Sequence, residues 1–174
     1  MYYIRYMSAN PSVNIMSSLA PHVPASEDAV RKMLQFAELQ VGEQLYDLGS
    51  GDGRIIIMAA NEFGVKATGV ELRDDLVEHT RKRIEELGLS QVEVIHGDLM
   101  QIEISDADVV TLYLTTSANE KIAPKLMKEL RPGSRVVSFC FRIPSWEPAK
   151  TKKLGTRTLY LYIMPENENL KARE

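Results

Sequence analysis

Leu45-Tyr46-Asp47-Leu48-Gly49-Ser50-Gly51-Asp52-Gly53-Arg54 constrains the fold of this chain more than any other stretch. A short apolar run meets an acid, then three glycines at alternate positions, then the apolar segment Ile55-Ile56-Ile57-Met58. A glycine removes the Cβ where a backbone turns sharply or lies against a ligand. A helix opening at Gly53 would point its unpaired N–H groups into the same loop. Strand, glycine loop and helix N-terminus together make a nucleotide cradle at the carboxyl end of a strand, where open α/β sheets bind ligands. A tight turn without a ligand needs fewer glycines and neither acid.

The spacing discriminates among nucleotides. A dinucleotide fingerprint would place its third glycine at position 54, which is Arg54. Asp47 at the strand end and Asp52 in the loop disfavour a pyrophosphate and suit a zwitterionic or cationic ligand. An acid two residues before Gly49-x-Gly51-x-Gly53 resembles the first motif of the class I methyltransferases that use S-adenosylmethionine (SAM). The resemblance implies SAM as cofactor, held at Asp47, Gly49, Ser50, Gly51 and Gly53. Lys66–Val70 reads as a second strand, followed by Glu71 and Leu72; an acid there can accept two hydrogen bonds from a ribose diol. Val92–His96 reads as a third strand, followed by Gly97-Asp98-Leu99, and in the family pattern an acid at that point holds the adenine amino group. Alone, Glu71 reads equally as a surface carboxylate and Asp98 as a turn or helix cap. Their shared position just past successive strands points to one site.

The rest of the chain reads as strand and helix in alternation. Ser26 caps a helix from Glu27 to about Leu39, with Val30, Met33, Leu34 and Ala37 on one face. Helices are expected at Gly53–Phe63, Asp75–Leu87 (stopped by Gly88) and Asn119–Leu130, and strands at Gln44–Leu48, Asp108–Leu114, Arg135–Phe141 and Thr158–Met164. The fold class is therefore α/β: a doubly wound, mostly parallel, Rossmann-like sheet in a single domain. Residues 142–157 hold Pro144, Trp146 and Pro148 without a long helix, so the C-terminal end looks trimmed. The expected organisation is an N-terminal arm at 1–20, with Met16 as an alternative start, a methyltransferase domain at 21–165 and a polar tail at 166–174.

Composition narrows the setting. The one cysteine, Cys140, excludes an internal disulfide framework, suits a reducing compartment and reads as a core residue of its apolar strand. No apolar run approaches the ~18–20 residues of a membrane span, and no signal-peptide core opens the chain. A soluble, cytoplasmic protein is expected. The formal net charge of −3 argues against a general polyanion binder, so no direct nucleic-acid contact is expected. No metal site is expected, and a monomer is the favoured form.

The acceptor would enter beside the loop after the fourth strand, Tyr113-Leu114-Thr115-Thr116-Ser117-Ala118-Asn119-Glu120. The Asn/Asp-Pro-Pro-aromatic motif of many base and amide methyltransferases is absent. Thr116, Ser117 and Asn119 read equally as caps of the next helix. Together with Pro-His-Val-Pro at 21–24, Pro-Lys-Leu at 124–126 and Leu-Arg-Pro-Gly-Ser-Arg-Val-Val-Ser at 130–138, the pattern resembles the archaeal protein-lysine methyltransferases and their mitochondrial relatives over residues of about 20–164. That resemblance implies transfer of a methyl group from SAM to lysine side chains of protein partners, with a broad substrate range. Tyr113, Thr115, Thr116 and Asn119 are the candidate catalytic residues, and Tyr113, His22 and Trp146 are candidates to line the amine channel. The competing readings are a methyltransferase for RNA or a small molecule, and a SAM-binding module without catalysis.

Overall fold

A computed structural model describes residues 24–166. The expectations for residues 1–23, His22 and Met16 among them, and for residues 167–174 lie outside it. The elements, in order, are α1 (Glu27–Phe36), β1 (Gln44–Leu48), α2 (Arg54–Phe63), β2 (Lys66–Glu71), α3 (Asp74–Glu86), β3 (Val92–His96), β4 (Val109–Leu112), α4 (Thr116–Glu129), β5 (Arg135–Phe139), β6 (Lys150–Leu154) and β7 (Arg157–Ile163). They form one seven-stranded sheet in the order β3-β2-β1-β4-β5-β7-β6. The first five strands are parallel, and β7 runs antiparallel to both β5 and β6.

Side-chain alternation along the strands gives each face of the sheet its own core. Leu45, Ala67, Val92, Val109, Val137 and Phe139 pack with α1, α2 and α3 on one face. Tyr46, Leu48, Val70, Val110, Leu112 and Val136 pack with Ile122 and Leu126 of α4 on the other. Ser26 caps α1, its Oγ accepting from Ala29 N–H at 3.3 Å, and Val30, Met33 and Leu34 are the buried face.

Two expectations for the C-terminal part of the sheet change. The sheet is not short of a strand: Lys150–Leu154 forms the edge strand β6. Its five residues show no apolar alternation because an edge strand exposed on both faces has no core to satisfy, and its lysines discourage pairing with other chains. The trimming is of a helix between β5 and β6. Also, β5 ends two residues early, at Phe139, because Cys140 enters the left-handed region (φ +70).

Strand order reverses between β2-β1 and β4-β5, so the loops after β1 and β4 diverge at the carboxyl ends of the strands. In a doubly wound sheet that divergence opens the ligand crevice. Among the described residues no helix is long and apolar enough to cross a membrane.

Candidate active site

A cleft of about 350 Å³ opens at this switch point. On one side it is lined by Asp47, Gly49, Ser50 and Gly51 after β1, Glu71 and Leu72 after β2, and Gly97, Asp98 and Leu99 after β3. Tyr113, Leu114, Thr115 and Phe141, from the ends of β4 and β5, line the other side. Pro24 and Ala25 reach its mouth.

Glu71 ties the first two loops together. Its Oε2 accepts from Gly51 N–H at 2.8 Å, and its Oε1 accepts from Leu72 and Arg73 N–H, each at 2.9 Å. A carboxylate has about four acceptor positions, so Glu71 can hold the loops and still face a ligand hydroxyl. Gly49 (φ +86) and Ser50 donate their N–H groups to Val70 O at 2.8 and 3.0 Å, fixing the loop to the end of β2. Asp98 Oδ1 accepts from Met100 N–H at 2.9 Å and closes its own turn at the cleft edge.

Asp47 is the most deeply buried acid of the site. It is 1 % exposed, and its register partner across β1 and β4, Thr111, donates to Oδ1 at 2.8 Å. Its Oδ2 has no partner. Burial pushes the Asp47 carboxyl up to about 7, the nearby Glu71 and Asp52 carboxylates add to the rise, and the Thr111 hydroxyl opposes it. A buried carboxylate oxygen without a donor, in the wall of a cleft, fits the cationic amino group of an amino-acid tail. The apolar surfaces of Val70, Leu72, Leu76 and Leu99 and the polar ends of Glu71 and Asp98 fit a nucleoside.

Two expectations for this half are corrected. Asp52 does not offer a free charge to a ligand. The Arg54 guanidinium grips it, holds its carboxyl below the usual carboxylate range, and donates also to Ala25 O. Gly53 does not line the cleft. It caps α2 at φ +75, and a Cβ there would lie 2.3 Å from Thr80 Cγ2 of α3. The third glycine therefore lets α2 and α3 approach.

Of the candidate catalytic residues, the cleft brings together Tyr113 and Thr115. Tyr113 lines the cleft, edge-on to Phe139 with ring centroids 4.8 Å apart, and Arg157 lies 5.4 Å over the Phe139 ring. Burial and the neighbouring Cys140 raise the Tyr113 hydroxyl above its ordinary value, so it stays protonated at neutral pH. Thr115 also lines the cleft, and its Oγ1 caps α4 by accepting from Ala118 N–H at 3.2 Å. Thr116 is the exposed first residue of α4. Asn119 is completely buried against β5 and outside the cleft lining. Helix α4 starts three residues before the expected Asn119, which turns that side chain toward the sheet. Trp146 lies outside the lining too, packed edge-on against Tyr162 at 5.6 Å in the α4-side core. Cys140 is half-buried in a turn, and burial pushes its thiol up. Thr111 and Phe141 carry no signal in the sequence: one is a β-branched residue in an apolar strand, the other reads as that strand's continuation. Among the described residues no cluster of His, Cys, Asp or Glu could hold a metal.

Sheet order, cleft position and the three acids at successive strand ends define a class I methyltransferase. The chain belongs to the family of the ANTKMT methyltransferase domain, whose model matches residues 47–150. A protein-lysine N-methyltransferase of Saccharolobus islandicus is 43% identical over 85% of this chain and 96% of its own length. The adenine nucleotide translocase lysine N-methyltransferase of Mus musculus is 35% identical over 82% of this chain and 62% of its own length, so the chain spans about three fifths of that relative. A solved structure, an RNA methyltransferase from Salinibacter ruber in complex with S-adenosyl-L-homocysteine, is 44% identical with a TM-score of 0.81, over 83% of this chain and 95% of that one. SAM is accordingly the cofactor of this chain, and the chain is a SAM-dependent methyltransferase.

Proposed function

We propose that this enzyme methylates the side-chain amines of protein lysines, over a broad range of cytoplasmic substrates, as a monomer and without binding nucleic acid directly. The observation that carries the reading is the cleft's composition. Every carboxylate in its lining is on the cofactor side, and the acceptor side presents only Tyr113, Leu114, Thr115 and Phe141. Such a wall suits an apolar chain ending in an amine. The identity with the Saccharolobus protein-lysine N-methyltransferase across nearly its whole length supports it, and the net charge of −3 suits lysine-bearing partners better than a polyanion.

Asp47, Glu71 and Asp98 hold SAM, with Gly49, Ser50, Gly51, Leu72, Gly97 and Leu99 shaping its cradle. When bound, SAM supplies a methyl group on a sulfonium, whose leaving group is already activated. The protein's own contribution is orientation and exclusion of water. A lysine must lose a proton first, which at neutral pH costs roughly 4–5 kcal/mol. No described carboxylate stands on the acceptor side to take it, and Tyr113 is protonated. Desolvation between apolar walls lowers the amine's pKa instead, and the proton leaves to solvent.

The test is incubation of the pure protein with labelled SAM and either a histone mixture or total RNA, followed by mass spectrometry. Methyl groups on lysines of the histones support the reading. Label in RNA and none on lysine would replace it with the activity named for the Salinibacter protein.

A further inference from the structure

Between Phe139 and Phe141 the chain leaves β5 through a turn. Cys140 has φ +70, a conformation that a residue bearing a Cβ adopts rarely. It persists only when the surroundings fix it. Cys140 N–H donates to Thr158 O at 2.8 Å. The Phe141 carbonyl accepts from Ser138 Oγ at 2.5 Å and from Asn119 Nδ2 at 2.8 Å. Asn119 Nδ2 also donates to Ser138 Oγ at 3.0 Å. Ile143 N–H donates to the Tyr162 hydroxyl at 2.9 Å. Asn119 and Ser138 are both fully buried.

Two buried side-chain donors thus converge on one backbone carbonyl. Their effect is to turn Phe141 out of the line of β5 and into the cleft wall, where it stays 39 % exposed on the same side as Tyr113. A large aromatic left in that state adds little to folding. The sheet order puts β4 and β5 on the opposite side of β1 from β2 and β3. The acceptor therefore approaches beside Tyr113 and Phe141, away from Glu71 and Asp98.

We propose that Phe141 and Tyr113 are the two walls that receive the lysine's alkylamine chain, and that Asn119 is the positioning residue that sets Phe141 through its carbonyl. The proposal rests on the lysine reading above and assigns its specificity-determining residue. The four methylenes of the acceptor pack on the aromatic surfaces, and the same surfaces keep water from its amine. Asn119 touches neither reactant.

Steady-state methylation of the histone mixture by the full chain tests this, with SAM affinity measured separately by calorimetry. Phe141→Ala should raise the acceptor KM about tenfold, the loss of one aromatic packing surface, and leave SAM affinity unchanged. Phe141→Tyr should keep the wild-type KM. Asn119→Leu, of similar size but without the donor, should raise KM in the same way. Combined with Phe141→Ala it should add nothing, because both act through one side chain. If Asn119→Leu does not fold, Ser138→Ala removes the second donor to the same carbonyl and carries the same expectation. An unchanged KM in Phe141→Ala removes the wall. Additive losses in the double variant, or a lower melting temperature at unchanged KM, remove the positioning role. A wild-type chain that binds SAM and methylates no lysine overturns the lysine reading and the proposal together, and differs from the other outcomes because the wild type itself is silent.

Discussion

The two sides of the cleft are held by different means. On the β1–β3 side the polar groups that face the cleft also hold it together. Glu71 accepts from the two loops it would share with a ligand, and Asp98 closes its own turn. On the β4–β5 side the facing groups are braced from behind by residues that never reach the cleft: Phe139 and Arg157 behind Tyr113, Asn119 and Ser138 behind Phe141. A cofactor side whose own cleft-facing groups bond its loops suits one fixed ligand. An acceptor side braced by residues outside the cleft can change its walls and leave the cofactor site intact.

The largest expected effect tests whether the cofactor side is as local as it looks. Gly53 does not touch the cleft, yet a Cβ there would meet Thr80 Cγ2 at 2.3 Å in a left-handed backbone. Gly53→Ala should cost ~2–4 kcal/mol of stability in urea unfolding, from overpacking plus backbone strain. Adding Thr80→Ser, which deletes the clashing methyl, should restore roughly half of it. A Gly53→Ala variant with the wild-type unfolding midpoint would show that neither the left-handed backbone nor the α2–α3 approach requires this glycine.

Asp47 sharpens the comparison through pH. Its carboxyl is raised to about 7 in the fold, against about 3.9 unfolded. The neutral form is the one burial favours. The stability this contributes is fully present below the unfolded value and is lost as pH rises through about 7. A cationic amino group reverses the preference, so SAM binding should strengthen as pH climbs through the same window and should release a proton. Asp47→Asn should abolish that pH dependence in calorimetry and weaken SAM binding by ~1–3 kcal/mol above neutrality, the loss of a charge-assisted contact. It should also flatten the fall in stability of the free protein. Equal SAM affinity in wild type and variant above neutral pH would show that the unpartnered oxygen does not meet the ligand's cation.

What could be read from the sequence follows the same division. Gln44–Leu48 and Val92–His96 are strands at the expected residues, because apolar runs between polar ends leave little freedom. Asp47, Glu71 and Asp98 were legible since each sits next to such a run. The acceptor side was legible only at Tyr113 and Thr115, which line the cleft. Whether Asn119 faces solvent or β5 depends on where α4 begins. Whether Phe141 continues a strand depends on φ at Cys140, which buried partners from α4 and β7 decide. Strand β6 is invisible for a related reason: pairing with β7 makes it a strand, and none of its side chains is buried.

The smallest expected effects separate the residues that stand near the acceptor from those that act on it. Thr116 is exposed at the first position of α4, while Thr115 supplies the cap. Thr116→Ala should leave kcat, KM and stability within about 0.5 kcal/mol of wild type, as a surface change does. Tyr113→Phe removes a hydroxyl that burial keeps protonated but retains the ring against Phe139. A general base is worth about 10²–10⁴-fold in rate, so Tyr113→Phe should fall far short of that, with the rate still rising as pH climbs toward the amine's pKa. A drop in kcat of a hundredfold or more, with that pH dependence lost, would make Tyr113 a proton acceptor and turn the acceptor side from a wall into an acid–base device.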